Sequence, residues 1–458
     1  MLLISFYKKY KILFKNNKNL KPMKTTKVII KFGKKMTNTI LAIGISANIY
    51  AVDICVNELG SGGCYSSISA AIAAANDGDR ILIQPKAGNA PYVENLTINK
   101  SIQLLSNQEG VMWSLTGNIT ITPAIGRQIS ILHMNNNMGN ITASGNSPSG
   151  VRCKVDIINC QLLDGYINLN YDNFEVNVVS SIINNGYVAF KYGNIIGNEI
   201  MSNNYLKMFN VPSVGYTLLY CSSDAVSTND TINIVGNILK NQATVSTNYY
   251  NIFLNSNSYF FNVSNNYLTK DNTYYDCGGI IFNIHKSSTL GTNSIYNNTM
   301  YNPDNYNYGY FSISVNSTSN GVFDIKNNIS ICPNKSSGYN RFSFSSGPTI
   351  GFSYNYGTNN ASLIGIPDNG TNNLNSNSSI NVSNGQLNVA SDGINGGYPD
   401  LSFYDLDLTV NDVGAYGGSY SLTNFHPITG AARVYYVKSP RTILQSGTLN
   451  IKANSFDR

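Results

Sequence analysis

Few residues in this 458-residue chain are of a type and spacing that could do chemistry, and the densest mixed-charge set lies early, at Arg127, Arg152, Lys154 and Asp156. An arginine or lysine near calcium-binding carboxylates can take the proton α to a carboxylate, since the metal withdraws charge while the base sits within reach. Aligning Ile129 and Ile131 with Val155 and Ile157 puts Ser130 beside Asp156 and Gln128 beside Lys154. The strip then holds one carboxylate where a calcium site wants several. A solvated polar face is the stronger reading, and the four residues remain candidates only. His133, in "ISILHMN", closes an apolar alternation and reads as a turn residue, not a base.

A tighter acidic group is Asp405, Asp407 and Asp412, with Asn411 beside it. Hard oxygen ligands at that spacing could hold Ca²⁺ and fasten the local chain. Bonds from Asx side chains to a Gly-rich turn explain the group as well. Apart from Ca²⁺ at this point, no cofactor is indicated. Cys55 and Cys64 bracket the loop "VNELGSGG" and form the candidate disulfide, whereas Cys153 and Cys160 read as small buried hydrophobes. Seven cysteines suit an oxidising compartment without making a disulfide scaffold. The chain has no C-x-x-C pair, and His133, His285 and His426 are scattered, which leaves zinc little support.

The elements that must position these residues are written in the composition. Charged residues are 12% of the chain, and there are 70 asparagines, so Asn, Ser and Thr must form most of the solvated surface. Hydrophobic residues at 42%, recurring at regular positions, argue for an ordered fold. Eleven of the 30 basic residues fall in Met1 to Lys35 and no acidic residue precedes Asp53, which leaves 19 basic against 24 acidic residues from Val52 onward. A chain that is net acidic after its start has no nucleic-acid footprint.

The lysine-rich start leads into "TNTILAIGISANIYA", Thr37 to Ala51, which reads as a secretory signal cleaved after Ala51. Met23 would give the signal a more ordinary basic region. An uncleaved membrane anchor is the competing reading, although the run is shorter than the ~20 residues a spanning helix needs. The expected organisation is a signal and basic extension over 1–51, one repeat domain over 52–420 and a β tail or cap over 421–458.

The repeat appears as recurring phrases such as "VDIINCQL", "VNVVSSII", "INIVGNIL", "FNVSNNYL" and "FDIKNNIS". Each alternates apolar and polar residues, breaks at a residue that tolerates a left-handed backbone, and resumes with a short strand. The breaks fall at His133, Asn159, Ser180, Gly197, Gly236, Asn265, Asn297 and Asn327, at intervals of 26, 21, 17, 39, 29, 32 and 30. Short strands at such a period, with no helical stretch between, imply a parallel β-helix. Asn159, Asn265, Asn297 and Asn327 are the expected turn ladder, with amides bonded from coil to coil. The 39-residue interval implies an extra turn or a long loop such as "YCSSDAVSTND".

Before the first coils, "CYSSISAAIAAANDGD" suits a short amphipathic helix covering the front of the cylinder. This helix, "PYVENLTINKSIQLL", the Asn-turn coils and "DLDLTVNDVGAYGG" together resemble the right-handed parallel β-helix superfamily of bacterial secreted proteins, the pectate-lyase-like group. The likeness spans about Cys55 to Gly418. It implies an all-β, single-stranded right-handed solenoid with a capping helix, and it leaves the chemistry open. The Asp-Phe-x-Phe-Gly and Leu-Gly-Arg-Pro-Trp phrases of pectin methylesterases are absent. So are the Asn-Thr-Asp, Asp-Asp and Gly-His-Gly phrases of polygalacturonases. A lyase site, which asks only for carboxylates and a base on adjacent coils, is harder to exclude.

The 32 tyrosines, if some point outward along one sheet, would form a strip suited to stacking on sugar rings; burial of alternate rings is an equal reading. The leading expectation is a secreted or cell-surface protein that binds extended polysaccharide or cell-surface glycan in an adhesin-like role. A polysaccharide lyase is the alternative, and a structural surface fibre the third. Converging carboxylates and a base in a lateral groove would favour the enzyme; an uninterrupted Tyr and Asn face would favour binding.

Overall fold

A strand with one apolar face must bury that face, and in this protein the next coil of the same chain covers it. The computed structural model describes residues 51–243, 248–270, 277–303 and 309–428, with the backbone of 433–438 and 452–456. The basic extension and the apolar run before Ala51 lie outside the described residues. Three long sheets run along the molecule, with twelve, eleven and twelve strands. The first sheet begins at Asp53–Val56 and ends at Thr349–Ser353, the second runs from Tyr92–Val93 to Tyr356–Gly357, and the third from Leu96–Ile98 to Ser362–Ile364. The chain visits each sheet once per coil, and every pairing within the three is parallel except that of Phe209–Val211 with Gly215–Ser222. Parallel crossovers of this kind take the right-handed form. The fold is a parallel β-helix.

Its core is made of rows. In the first sheet Leu104, Ile131, Ile157, Val178, Ile195, Ile234, Val263, Ile295 and Ile325 are successive partners, all fully buried. The third sheet supplies a parallel row from Ile119 through Ile141, Ile167, Val188, Leu219, Ile252 and Ile280 to Ile313. Each such side chain contributes roughly 1.5 to 3 kcal/mol on burial, so stability accumulates coil upon coil. The register expected from the sequence, Asp156 on Ser130 and Lys154 on Gln128, is the one observed.

The corners are equally regular. All eight residues at which the alternation breaks have positive φ, from 48° at Ser180 to 68° at Gly236. From His133 to Asn297 each corner N–H bonds to a carbonyl of the next coil, as Asn159 does to Val179 at 3.0 Å. Asn159, Asn265, Asn297 and Asn327 thus supply left-handed corners, while the stacked amide ladder expected of them runs one residue further on. There Asn198, Asn237, Asn266, Asn298, Asn328 and Asn355 are joined by Nδ2–H···Oδ1 bonds of 2.9–3.0 Å. Each of these amides also donates to a backbone carbonyl, as Asn298 does to Val263. The residue after the corner has its side chain inside the cylinder, where a partner must be found within the protein. At the corner itself, Asn327 reaches a neighbouring corner amide, Asn297, at 3.5 Å.

The 39-residue interval hides no additional coil, because Asn194 and Asn233 are direct partners. The surplus forms the antiparallel hairpin at Phe209–Ser222 and the loop that follows it. At the front, helix Ile68–Ala74 buries Ile68, Ala71 and Ile72 and packs on the strands Asp53–Val56, Arg80–Ile83 and Leu96–Ile98. Ser67 caps it by accepting from the Ala70 N–H, and the Glu94 carboxylate accepts from the Ile68 and Ser69 N–H groups at 2.8 and 2.9 Å. Lys100 donates to the Ile72, Ala73 and Ala75 carbonyls at the other end, so both charges complement the helix dipole.

After Ile364 the strands of the cylinder stop. The chain then turns back and runs outside the coils as a strap. Tyr398 N–H donates to Asn327; Asn297 donates to Asn411, Asp412 and Gly414; Asn265 donates to Ala415 and Gly417; and Phe425 lies against Gly197 and Gly236. Val413, Ala415 and Leu422 of the strap bury outward residues of the second sheet, including Ile238, Tyr267, Ile329 and Ile331. Beyond it, Arg433–Lys438 and Lys452–Phe456 pair as an antiparallel hairpin.

Candidate functional site

The residues proposed from sequence as a catalytic set do not converge. Arg127 donates to the Thr122 carbonyl. Arg152 forms a largely buried ion pair with Asp224 at 2.6 Å, donates to the Phe174 carbonyl and the Tyr259 hydroxyl, and stacks on Tyr192 with its guanidinium 4.3 Å from the ring centre. Burial alone would raise the Asp224 carboxyl, but donation from Arg152, the Asn173 N–H and Tyr259 outweighs it and the pKa is lowered. Lys154 pairs with Asp156 at 3.2 Å on the outer face of the first sheet. The sequence reading missed Glu175, which is opposite Lys154 and shares the Asn177 amide with Asp156.

Asp405, Asp407 and Asp412 are spent on turns. Asp405 accepts from the Gly418 and Asp412 N–H groups, Asp407 from the Thr409 N–H and hydroxyl, and Asp412 from the Asn395 N–H. Burial pushes the Asp405 carboxyl up to about 6; the two N–H donors oppose this, and the Asp412 and Asp407 charges add to it. Among the described residues no three His, Cys, Asp or Glu side chains are grouped as metal ligands. Cys55 and Cys64 are joined as a disulfide, while Cys153 and Cys160 are buried thiols, with burial pushing Cys160 up to about 12.

The site that the fold does build lies on the outer face of the first sheet, where a groove of about 770 Å³ crosses four coils. Asn233, Asn262 and Ser294, successive partners in the sheet, form its floor. One wall stands at the strand starts and consists of Tyr192, Thr292 and the loop residues Asn229, Asp230 and Thr231. The opposite wall is the strap, through Ser402, Phe403, Ser419 and Tyr420. Strands spaced about 4.8 Å apart give the four coils a span of roughly 14 Å along the cylinder.

Both walls are held from behind. Phe403 meets Tyr296 edge-on at 5.2 Å, and Tyr296 donates to Asp324 at 2.6 Å. Lys326 bonds Asp324 at 2.8 Å and lies 5.7 Å over the Phe403 ring. Burial, followed by the bond to Asp324, raises the Tyr296 hydroxyl well above its ordinary pKa and keeps it a donor. On the other side, the Arg152–Asp224 pair anchors the loop that carries Asn229 to Thr231, and Arg152 supports the Tyr192 ring.

The tyrosines divide by face. Tyr249, Tyr259, Tyr267 and Tyr310 are fully buried, whereas Tyr192, Tyr296 and Tyr420 line the groove. A third group, on the outer face of the third sheet, is stacked on itself, as in the Tyr166–Tyr187 pair at 4.6 Å and Phe209–Tyr220 at 4.3 Å.

No protein-family model and no curated protein sequence matches the chain. Among solved structures it is similar to the crystal structure of pectate lyase Pel9A, at 13% sequence identity and a TM-score of 0.34, over 80% of this chain and 96% of that one.

Proposed function

We propose that this protein is an exported, secreted or surface-attached binding protein whose lateral groove holds an extended polysaccharide in an adhesin-like role. The observation that carries the reading is the groove itself: aromatic rings on both walls, amides and hydroxyls on the floor, and open length along the cylinder. Rings that stack on sugar faces beside groups that bond hydroxyls are the ordinary means of holding a glycan chain. Export is supported by the signal-like run before Ala51 and by the Cys55–Cys64 disulfide, a bond that persists in oxidising compartments. Binding is favoured over β-elimination because, among the described residues, the groove lining contains one carboxylate, Asp230, and no lysine, arginine or histidine. Lys154, Asp156 and Glu175 lie on the same sheet but outside it.

The test is retention of the purified mature chain on insoluble glycans, with the supernatant followed in the ultraviolet for unsaturated sugar. Retention that Tyr420→Ala and Phe403→Ala weaken at least several-fold, without ultraviolet product, is the expected result. Appearance of product, or equal retention of all three proteins, would overturn the reading.

A further inference from the structure

We infer that the ligand of the groove is an uncharged glycan, selected by a polarised row of amides on the floor; this rests on the binding reading above. Outside the cylinder, and distinct from the buried ladder, the side chains of Asp156, Asn177, Asn194, Asn233 and Asn262 form a row on the first sheet. Each Nδ2 donates to the carboxyl or amide oxygen of the residue before it, at 2.8, 2.7, 2.8 and 3.2 Å. The four amides point the same way, so each bond polarises the next. The row starts outside the groove, at a carboxylate already paired with Lys154, and ends inside it, at Asn262. Among the described residues nothing donates to Asn262 Oδ1. The floor therefore offers an acceptor strengthened by the whole row, and a sugar hydroxyl or an acetamido N–H is the donor that would complete it. Ser264, on the same strand as Asn262 and 3% exposed, carries a hydroxyl with no partner among the described residues.

Charge makes the selection. Among the described residues, Asp230 is the one lining side chain that is charged at neutral pH. Of the cations nearby, Lys326 pairs with Asp324, Arg152 with Asp224 and Lys154 with Asp156, while Lys286 is held outside the lining by the Ser227 hydroxyl and the Ser258 carbonyl. A uronate polymer would set its carboxylates against Asp230 and a row of amide oxygens, losing hydration with no cation in return. A neutral chain loses only hydroxyl hydration, which the amides replace.

The test is affinity electrophoresis of the full chain in gels with galactomannan, xyloglucan or chitin oligomers as uncharged probes and with polygalacturonate or alginate as acidic ones, each with and without calcium. Retardation by an uncharged probe and by neither acidic one is expected. Retardation by acidic probes alone would overturn this inference and leave the binding reading standing; retardation by none would overturn both. Asn262→Ala, which removes the terminal acceptor of the row, is expected to weaken binding of the uncharged probe about tenfold. Unchanged binding by a variant that melts like the parent would remove the amide row from the argument. Asp230→Lys is expected to admit polygalacturonate, a gain that misfolding cannot mimic, and its failure to do so would count against selection by charge.

Discussion

Arg152 shows how a residue that looks chemical can be structural. Its guanidinium has a carboxylate, a carbonyl, a tyrosine hydroxyl and two aromatic rings as partners, and Asp224 across from it has a fully buried side chain. Removing one member of such a pair leaves the other charged and dry. Asp224→Ala is therefore expected to cost roughly 3 to 5 kcal/mol in urea unfolding, while Lys154→Ala, whose side chain is 40% exposed, costs less than about 1 kcal/mol. Equal losses for the two would contradict this account. The sequence could not pair Arg152 with Asp224, because 72 residues separate them and the partner sits in a loop with no repeat pattern. What could be read at this scale was the set of left-handed corners, since only a few residue types accept that backbone.

At the scale of the coil, the sequence located each corner but misplaced the ladder by one residue. In the pairs Asn265–Asn266, Asn297–Asn298 and Asn327–Asn328 both residues are amides, and composition does not say which one faces inward. The first fastens the strap or shapes the corner, and the second is stacked. Asn298 donates to Asn328 and Val263 and accepts from Asn266, all in the interior. Replacing it with alanine removes the acceptor of the Asn266 backbone N–H and of one Asn266 Nδ2–H, and a donor to the Val263 carbonyl, for an expected loss of about 1 to 3 kcal/mol. Thermal melting checks this against Asn381→Ala, an exposed amide in the irregular region, which is expected to melt within a degree or two of the parent. The groove was illegible for a related reason: its floor follows from the repeat, but its far wall comes from residues more than a hundred positions later in the chain.

For the molecule as a whole, the pH response should originate in the strap. Asp405 titrates at about 6 in the folded chain and near 3.9 unfolded, so between those values the folded state binds the extra proton. The stability it supplies is fully present below about pH 4 and lost as pH rises through 6. Asp224 and Asp392, both lowered, act in the opposite sense, contributing above about pH 4 and losing their contribution on further acidification. Buried His285, with its pKa lowered, opposes Asp405 as pH rises toward 6.5, so the expected outcome is a difference: between pH 4.5 and 7 the melting temperature of the parent falls relative to that of Asp405→Asn, and identical slopes for the two would refute the assignment.

A solenoid without such a strap can fray from its last rung, each departing coil exposing the next. Here the strap is tied sideways to corners as far back as Gly197, so the terminal rung cannot leave alone. The coils from Gly197 to Tyr356 are splinted into one cooperative block, and the binding groove lies within it. Its two walls keep their separation for as long as that block stays intact.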